Sequence, residues 1–161
     1  MVLSFDEWRF DVDITETMTV SGEEVAEHCV CGSCRNFYRT VDDRYPDLRT
    51  FLSQFGLDLE APDELIPCHE NGEVWYTGCY SVCGKILHLG KRPMLVDGVD
   101  IQPSREFPQI NFTSAPEPCF YLILRDIRLP WALPEPPEVY STPQYSSLST
   151  GDSVCGSIYL S

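Results

Sequence analysis

The sequence predicts an α+β fold, a mainly antiparallel sheet with one or two helices and an irregular, Pro/Ser-rich C-terminal arm. Three observations support this prediction. Several segments alternate apolar and polar residues with the period of a strand, and one segment repeats apolar residues with the period of a helix. An Asn-Gly pair separates two extended stretches. We place a single α+β domain at residues 1–129 and a Pro/Ser/Thr-rich arm at residues 130–161.

The opening segment is expected to be extended. Apolar residues alternate with mostly polar ones from Phe5 to Ile14, which predicts a strand. Ser21-Gly22 then predicts a turn into a second strand. This second strand would lead into the cysteine-rich stretch HCVCGSC at residues 28–34.

Two helices are predicted next. The segment from Pro46 to Phe55 has apolar residues at i, i+3, i+4 and i+7, with proline in the first turn and Gly56 just past the end. We expect four of its side chains to be buried: Leu48, Phe51, Leu52 and Phe55. A shorter helix is predicted to begin at Cys34, with Phe37 and Val41 facing inward.

The second half of the chain is expected to be rich in strands. Asn71-Gly72 and Asp97-Gly98 predict turns, and the first of them joins two extended stretches into a hairpin. Gly78 and Gly84 interrupt a long β-rich run and predict a turn or bulge there. The segment CFYLILRDIRL at residues 119–129 is apolar enough to be a central strand.

The net charge of −14 indicates which partners are expected. No Lys or Arg lies between Arg49 and Lys85, and none follows Arg128. Such a field repels nucleic acids and anionic membranes. We therefore expect a protein partner with a basic surface, while solubility alone remains the alternative explanation of the charge. The predicted partner-binding residues are Asp58, Glu60, Asp63, Glu64 and Trp131. We expect the four acidic residues, in the segment after Gly56, to be solvent-exposed.

The expected chemical state of the cysteines depends on the cellular compartment. No apolar run approaches the ~20 residues of a membrane span. The N-terminal residues are acidic and lack the apolar core of a secretory signal. We therefore expect a cytoplasmic protein without membrane contacts. In that reducing compartment the eight cysteines are thiols, metal ligands or redox groups before they are disulfides.

The cysteine-rich stretch has the spacing of a structural zinc site. Cys31 and Cys34 are separated by two residues, as in the inner pair of zinc ligands. In an extended strand Cys29 points the same way as Cys31, whereas His28 points away. The segment PCHE offers a fourth ligand, Cys68 or His69. The predicted ligands of the zinc ion are Cys29, Cys31, Cys34 and Cys68.

Two other interpretations of the same cysteines stay open. Cys31 and Cys34 could exchange between thiols and a disulfide at a helix N-terminus beside Arg35, where the dipole stabilises a thiolate. Against this, the motif lies outside any βαβ pattern. The plainer interpretation is that the cysteines are half-buried thiols that pack as small hydrophobes.

A set of motifs resembles those of a group of small uncharacterised proteins from Firmicutes and mobile elements. The motifs are CGSCRNFYR, YPDLRTFLSQFGLDLEAPDEL, WYTGCYSVCGKI and IRLPWAL. The resemblance covers about residues 28–133, and only Cys31 and Cys34 match cysteines of the group. The group has no assigned activity, so the resemblance implies a fold more than a function.

No catalytic motif stands out. The sequence lacks Gly-x-Gly-x-x-Gly and Walker patterns, and no acid–histidine order follows GDSVCGS. We therefore expect a non-enzymatic acidic protein-binding module, in concrete form a mobile-element inhibitor of a host nucleic-acid-binding protein. The alternative is a thiol- or zinc-dependent enzyme centred on Cys31, Cys34 and His69.

Overall fold

A computed structural model describes residues 1–26, 29–106 and 115–137. Within these ranges the chain forms a seven-stranded antiparallel sheet and three helices, which confirms the predicted α+β class. The strands are β1 Val2–Phe5, β2 Trp8–Val12, β3 Glu64–Glu70, β4 Glu73–His88, β5 Met94–Val96, β6 Val99–Ser104 and β7 Cys119–Pro130. The helices are α1 Ile14–Ala26, α2 Gly32–Arg44 and α3 Pro46–Ser53. None of these helices is long and apolar enough to cross a membrane.

The 16-residue strand β4 organises the sheet. One of its edges pairs with β7, and the other is shared between β3 along its first half and β2 along its last residues. The strand order is β1-β2-β4-β7-β6-β5, with β3 beside β4. The register of β4 against β7 shifts between Tyr76 and Gly78, as expected from the glycine. The predicted central position of β7 is also confirmed.

The two predicted turns join strands as expected. Asn71-Gly72 connects β3 to β4, and Asp97-Gly98 connects β5 to β6. All four residues have positive φ, between 50° and 78°. Two consecutive left-handed residues are what a tight hairpin turn requires, and Asn, Asp and Gly adopt that conformation most readily.

The N-terminal prediction is partly wrong. The expected opening strand is a hairpin of β1 and β2, and the expected turn at Ser21-Gly22 lies inside helix α1. Asp13 precedes this helix and caps its first turn, because its Oδ1 accepts a hydrogen bond from the Glu16 N–H at 3.0 Å. Thr17, Val20 and Ser21 are buried at helical spacing, which holds one face of α1 against the sheet.

The two other helices confirm the predictions. Helix α3 begins at Pro46, and Leu48, Phe51, Leu52 and Phe55 are all buried. Helix α2 begins at Gly32, two residues before the expected start, and buries Phe37 and Val41 completely. Phenylalanine rings then meet in one core: the Phe10 ring is edge-to-face with that of Phe55, just after α3, at 5.4 Å and stacks on that of Phe120 at 5.2 Å.

The described part of the C-terminal arm, residues 130–137, lies against α2. Buried Asn36 holds its start: the amide Nδ2 donates to the Pro130 carbonyl at 3.1 Å, and Oδ1 accepts from the Ala132 N–H at 2.8 Å. Arg35, the residue before Asn36 in α2, forms an ion pair with Glu135. The arm therefore continues the fold at least this far. The rest of the predicted arm lies outside the described residues.

Candidate metal centre and acidic cleft

Three cysteines meet at the N-terminus of α2. Cys31 is the N-cap residue, with extended backbone angles, and Cys34 is in the first turn. The sulfur atoms of Cys29, Cys31 and Cys34 all lie within 4.8 Å of one another. Cys29 is exposed, Cys31 is half-buried and Cys34 is buried, so the group opens to solvent at one side. The structure thus brings together three of the four predicted metal ligands.

The three thiols perturb one another. Hydrogen bonds from the Cys31 backbone and side chain lower the pKa of the Cys29 thiol. Burial raises the pKa of Cys34, and the neighbouring sulfurs of Cys31 and Cys29 raise it further. Burial and the charge of Cys34 raise the pKa of Tyr38, which lies one turn along the helix. Three thiolates without a cation would repel one another, so a bound cation would favour their ionisation.

The fourth predicted ligand, Cys68, is not part of this group. Cys68 pairs with Trp75 across the β3–β4 hairpin. Trp75 points to the face of the sheet where Arg128 lies 3.7 Å over its ring, and cross-strand partners share a face. The neighbouring Tyr76 points the other way, since its hydroxyl donates to the Ser33 carbonyl on α2 at 2.7 Å. Cys68 therefore lies on the face away from the three cysteines.

The adjacent His69 lies on the same face as α2. Its cross-strand partner is Val74, a core residue, and its Nε2 is 3.3 Å from the hydroxyl of Ser33 in the first turn of α2. Burial lowers the pKa of the imidazole, which favours its neutral form. His69 is thus the nearer of the two candidates that the segment PCHE offers, although the group within 4.8 Å contains cysteines alone among the described residues.

The chemistry of this donor set fits a soft or borderline cation. Thiolates bind Zn²⁺ and Cu⁺ in preference to Mg²⁺ or Ca²⁺. A closed structural zinc site has four protein ligands, whereas three ligands leave one position for another donor. Cys29, Cys31 and Cys34 would hold such an ion at the N-terminus of α2, where the positive end of the helix dipole also favours thiolates.

Trp131 is packed against the N-terminal end of α2. Its ring lies over Gly32, where an added Cβ would come within 3.4 Å of the ring carbons. The indole N–H donates to the Glu135 carbonyl at 2.7 Å, and the ring centroid is 5.7 Å from that of His69. The residue is half-buried, and its predicted role as a binding anchor stays a prediction.

The predicted acidic surface divides into two parts. Asp58 is exposed, but Glu60, Asp63 and Glu64 are half-buried, which corrects the expectation that all four are solvent-exposed. Asp63 has a structural role, because its carboxylate accepts a hydrogen bond from the Ser81 N–H and its own N–H donates to the Cys79 carbonyl at 2.8 Å. Burial raises the pKa of Glu64. Asp58 and Glu60 remain as candidate binding residues.

Asp58 and Glu60 form an acidic cluster with Asp42, which is not among the predicted binding residues. Burial and the proximity of Asp42 and Asp58 raise the pKa of Glu60 to about 6, and Arg49 offsets this in part. The Arg49 guanidinium is 3.6 Å from the Asp42 carboxylate and is 65% exposed. The single guanidinium group of Arg49 therefore faces three carboxyl groups and neutralises them only in part.

A cleft of about 340 Å³ opens beside this cluster, between α1 and α3. Asp58 and Arg49 are on its rim, and Met18, with 60% of its surface exposed, supplies an apolar wall. Gly56 lies at the base and has φ of +83°, and an added Cβ would approach the Ile14 carbonyl to 2.7 Å. The cleft thus borders the acidic cluster through Asp58, its lining also contains the Arg49 guanidinium, and Met18 offers it an accessible apolar side chain.

Comparisons with known proteins add no relative: no family model, no curated protein and no solved structure matches this chain.

Proposed function

We propose that this chain is a non-enzymatic protein-binding module that binds a basic segment of a partner protein at the acidic cleft. The observation that carries the proposal is the crowding of Glu60 by Asp42 and Asp58, of which Asp58 lines the open cleft. A Lys or Arg side chain from a partner would neutralise this repulsion. Met18 would add apolar contact beside the charges. Proteins that bind nucleic acids present such basic surfaces, so inhibition of a host nucleic-acid-binding protein is the concrete form we propose.

The proposal is tested by capturing partners from host lysate and measuring association with the purified partner at several salt concentrations. The variant Asp58→Asn/Glu60→Gln removes two charges from the cluster. Its matched control is Glu70→Gln/Glu73→Gln, which removes two charges from the exposed β3–β4 turn. Long-range attraction acts mainly on the association rate and is screened over about 8 Å at physiological salt. We expect the first variant alone to slow association, and equal effects of both variants would count against the cleft.

We further propose that Cys29, Cys31 and Cys34 bind one structural Zn²⁺ ion. Protein purified without added metal should contain about one zinc per chain. Cys34→Ser should lose the metal and lower the melting temperature, because metal binding at the start of α2 contributes to folding. The matched control is Cys79→Ser, a buried thiol outside the group. Metal-free wild-type protein, or equal metal loss in both variants, would oppose a zinc site here.

The alternative function is a thiol- or zinc-dependent enzyme centred on Cys31, Cys34 and His69. The lowered pKa of the nearby Cys29 favours a reactive thiol in this region, whereas the raised pKa of Cys34 disfavours it as a nucleophile without metal. Alkylation rates of the individual cysteines with iodoacetamide at pH 7 separate the two functions. Rapid alkylation of Cys31 or Cys34 in the metal-free protein would favour the enzyme.

A further inference from the structure

Cys83 of β4 and Cys119 of β7 are directly opposite each other in the two central strands. The register pairs them, and both are free thiols. They lie on the sheet face opposite Tyr80 and Val82, and they pack together with Val20 of α1. Neither belongs to the three-cysteine group at α2.

The pair is of the non-hydrogen-bonded type. The Cys83 N–H donates to the Thr17 hydroxyl at 3.0 Å and its carbonyl accepts from the Asp13 N–H at 2.8 Å, so both backbone groups point away from β7. The next residue, Gly84, donates instead to the Pro118 carbonyl at 2.9 Å. In such pairs the Cα atoms are about 4.5 Å apart and the side chains are at their closest. Disulfides span Cα distances of roughly 4.4–6.8 Å, so the backbone needs little movement to accommodate one.

A small molecule can approach the two thiols. Cys83 itself is only 3% exposed, but it borders a cleft of about 260 Å³ between the start of α1 and the segment before β7. Cys119 is half-buried. Glu117 lies two residues earlier in the chain, and its carboxylate oxygen is 3.9 Å from the Cys119 sulfur. The cleft is lined mainly by acidic and apolar residues: Asp11, Asp13, Glu16, Cys83, Gly84, Lys85, Pro116, Glu117 and Pro118.

We propose that Cys83 and Cys119 form a reversible cross-strand disulfide by exchange with a low-molecular-weight disulfide. The more accessible Cys119 thiolate attacks the small disulfide, which forms a mixed disulfide and releases one small thiol. Cys83 then attacks the Cys119 sulfur, forms the protein disulfide and releases the second small thiol. The two protons lost by the cysteines are carried by the two released thiols, and the small disulfide is the species reduced.

Two properties of the reaction follow from the surroundings. Burial raises the pKa of both thiols, so exchange should accelerate as pH rises above 7. The acidic lining of the cleft should favour a cationic disulfide over an anionic one. Oxidation at pH 8.5 with cystamine should therefore be several-fold faster than with glutathione disulfide at the same concentration.

The test is to treat the full-length protein with each disulfide and map the products by mass spectrometry without reduction. Chymotrypsin cleavage after Tyr80 separates Cys79 from Cys83. Cys79 serves as the internal control because it is buried on the same face but is paired with Ile123. We expect a Cys83–Cys119 peptide that disappears on reduction. A Cys79–Cys119 peptide, or two cysteines that are separately modified by cystamine, would overturn the proposal.

Stability measurements provide an independent readout. Oxidation should raise the melting temperature of the wild-type protein by several degrees, and reduction should reverse the change, because the bond closes a long loop between two central strands. Cys119→Ser should abolish the shift, and Cys79→Ser should preserve it. If Cys119→Ser does not fold, the peptide map of the wild-type protein decides alone. A shift that persists in folded Cys119→Ser would refute the assignment of this pair.

Discussion

Replacing Glu60 with Gln is expected to stabilise the folded protein at neutral pH. The Glu60 carboxyl has a pKa of about 6 instead of its usual 4.5, because it is partly buried near Asp42 and Asp58. Holding such a carboxylate ionised at pH 7 costs the folded state at most about 2 kcal/mol. Glu60 is only half-buried, so solvent screening reduces this to about 1 kcal/mol. Gln has a similar volume and carries no charge, and it should recover that amount.

The sign of the pH dependence distinguishes this mechanism from a change in packing. Since the folded protein binds the Glu60 proton more tightly than the unfolded chain does, stability is highest below pH 4.5 and is lost as pH rises through about 6. Wild-type protein and Glu60→Gln should therefore be nearly equal in stability at pH 4.5 and differ by about 1 kcal/mol at pH 7.5.

Urea unfolding at pH 4.5, 5.5, 6.5 and 7.5 measures this difference. Burial raises the pKa of Glu64 and lowers that of His69, but both residues are present in each protein, so their contributions cancel in the difference. The control is Glu73→Gln, an exposed residue at the β3–β4 turn. A difference that does not change with pH, or that is equally large in the control, would show that the carboxyl crowding does not act as argued.

Three further substitutions test the fold. Phe51→Ala should destabilise the protein by about 3–5 kcal/mol in urea unfolding, because Phe51 is buried between two other phenylalanine rings. Tyr45→Phe should cost about 1–3 kcal/mol and speed amide exchange at Arg128, whose N–H and carbonyl both bond the Tyr45 hydroxyl. Gly84→Ala should lower stability by at least about 2 kcal/mol, since φ is +144° and the Cβ would meet a β2 carbonyl. Gly22→Ala has open space and should not destabilise, so equal effects at both glycines would contradict the backbone argument.

The elements that the sequence predicts correctly depend on short-range signals. Asn71-Gly72 fixes a hairpin through its own backbone preference, and Pro46 and Gly56 flank the apolar repeat of α3. Helix α1 lacks such short-range signals, because its threonines, valines and glycine are weak helix formers. It is stabilised by distant contacts, such as the bond from the Cys83 N–H to Thr17. A single local window of sequence does not contain that information.

The site could be predicted in part. The short spacing of Cys29, Cys31 and Cys34 already places three sulfurs together at a helix start. The side of the sheet to which Cys68 points could also be predicted from the sequence. A two-residue turn at Asn71-Gly72 pairs His69 with Val74 and Cys68 with Trp75, and these two pairs lie on opposite faces. The cluster at Glu60 was not accessible in this way. Asp42 lies in α2 and Glu60 in a loop 18 residues later, and only the tertiary fold brings the two residues together.

The position of Asp42 explains why we assign binding to the cleft rather than to Trp131. Asp42 lies in the last turn of α2, where the negative end of the helix dipole disfavours a carboxylate. Its neighbours Asp58 and Glu60 add repulsion that the single Arg49 offsets only in part. The Asp58 carboxylate accepts a hydrogen bond from the Glu60 N–H at 2.9 Å, but the crowding of the Glu60 carboxyl opposes folding at neutral pH. Trp131, in contrast, packs against Gly32 and closes the N-terminal end of α2. Local features that oppose stability tend to mark functional sites, because selection for binding retains them. We therefore propose the acidic cleft as the partner-binding surface and a structural role for Trp131.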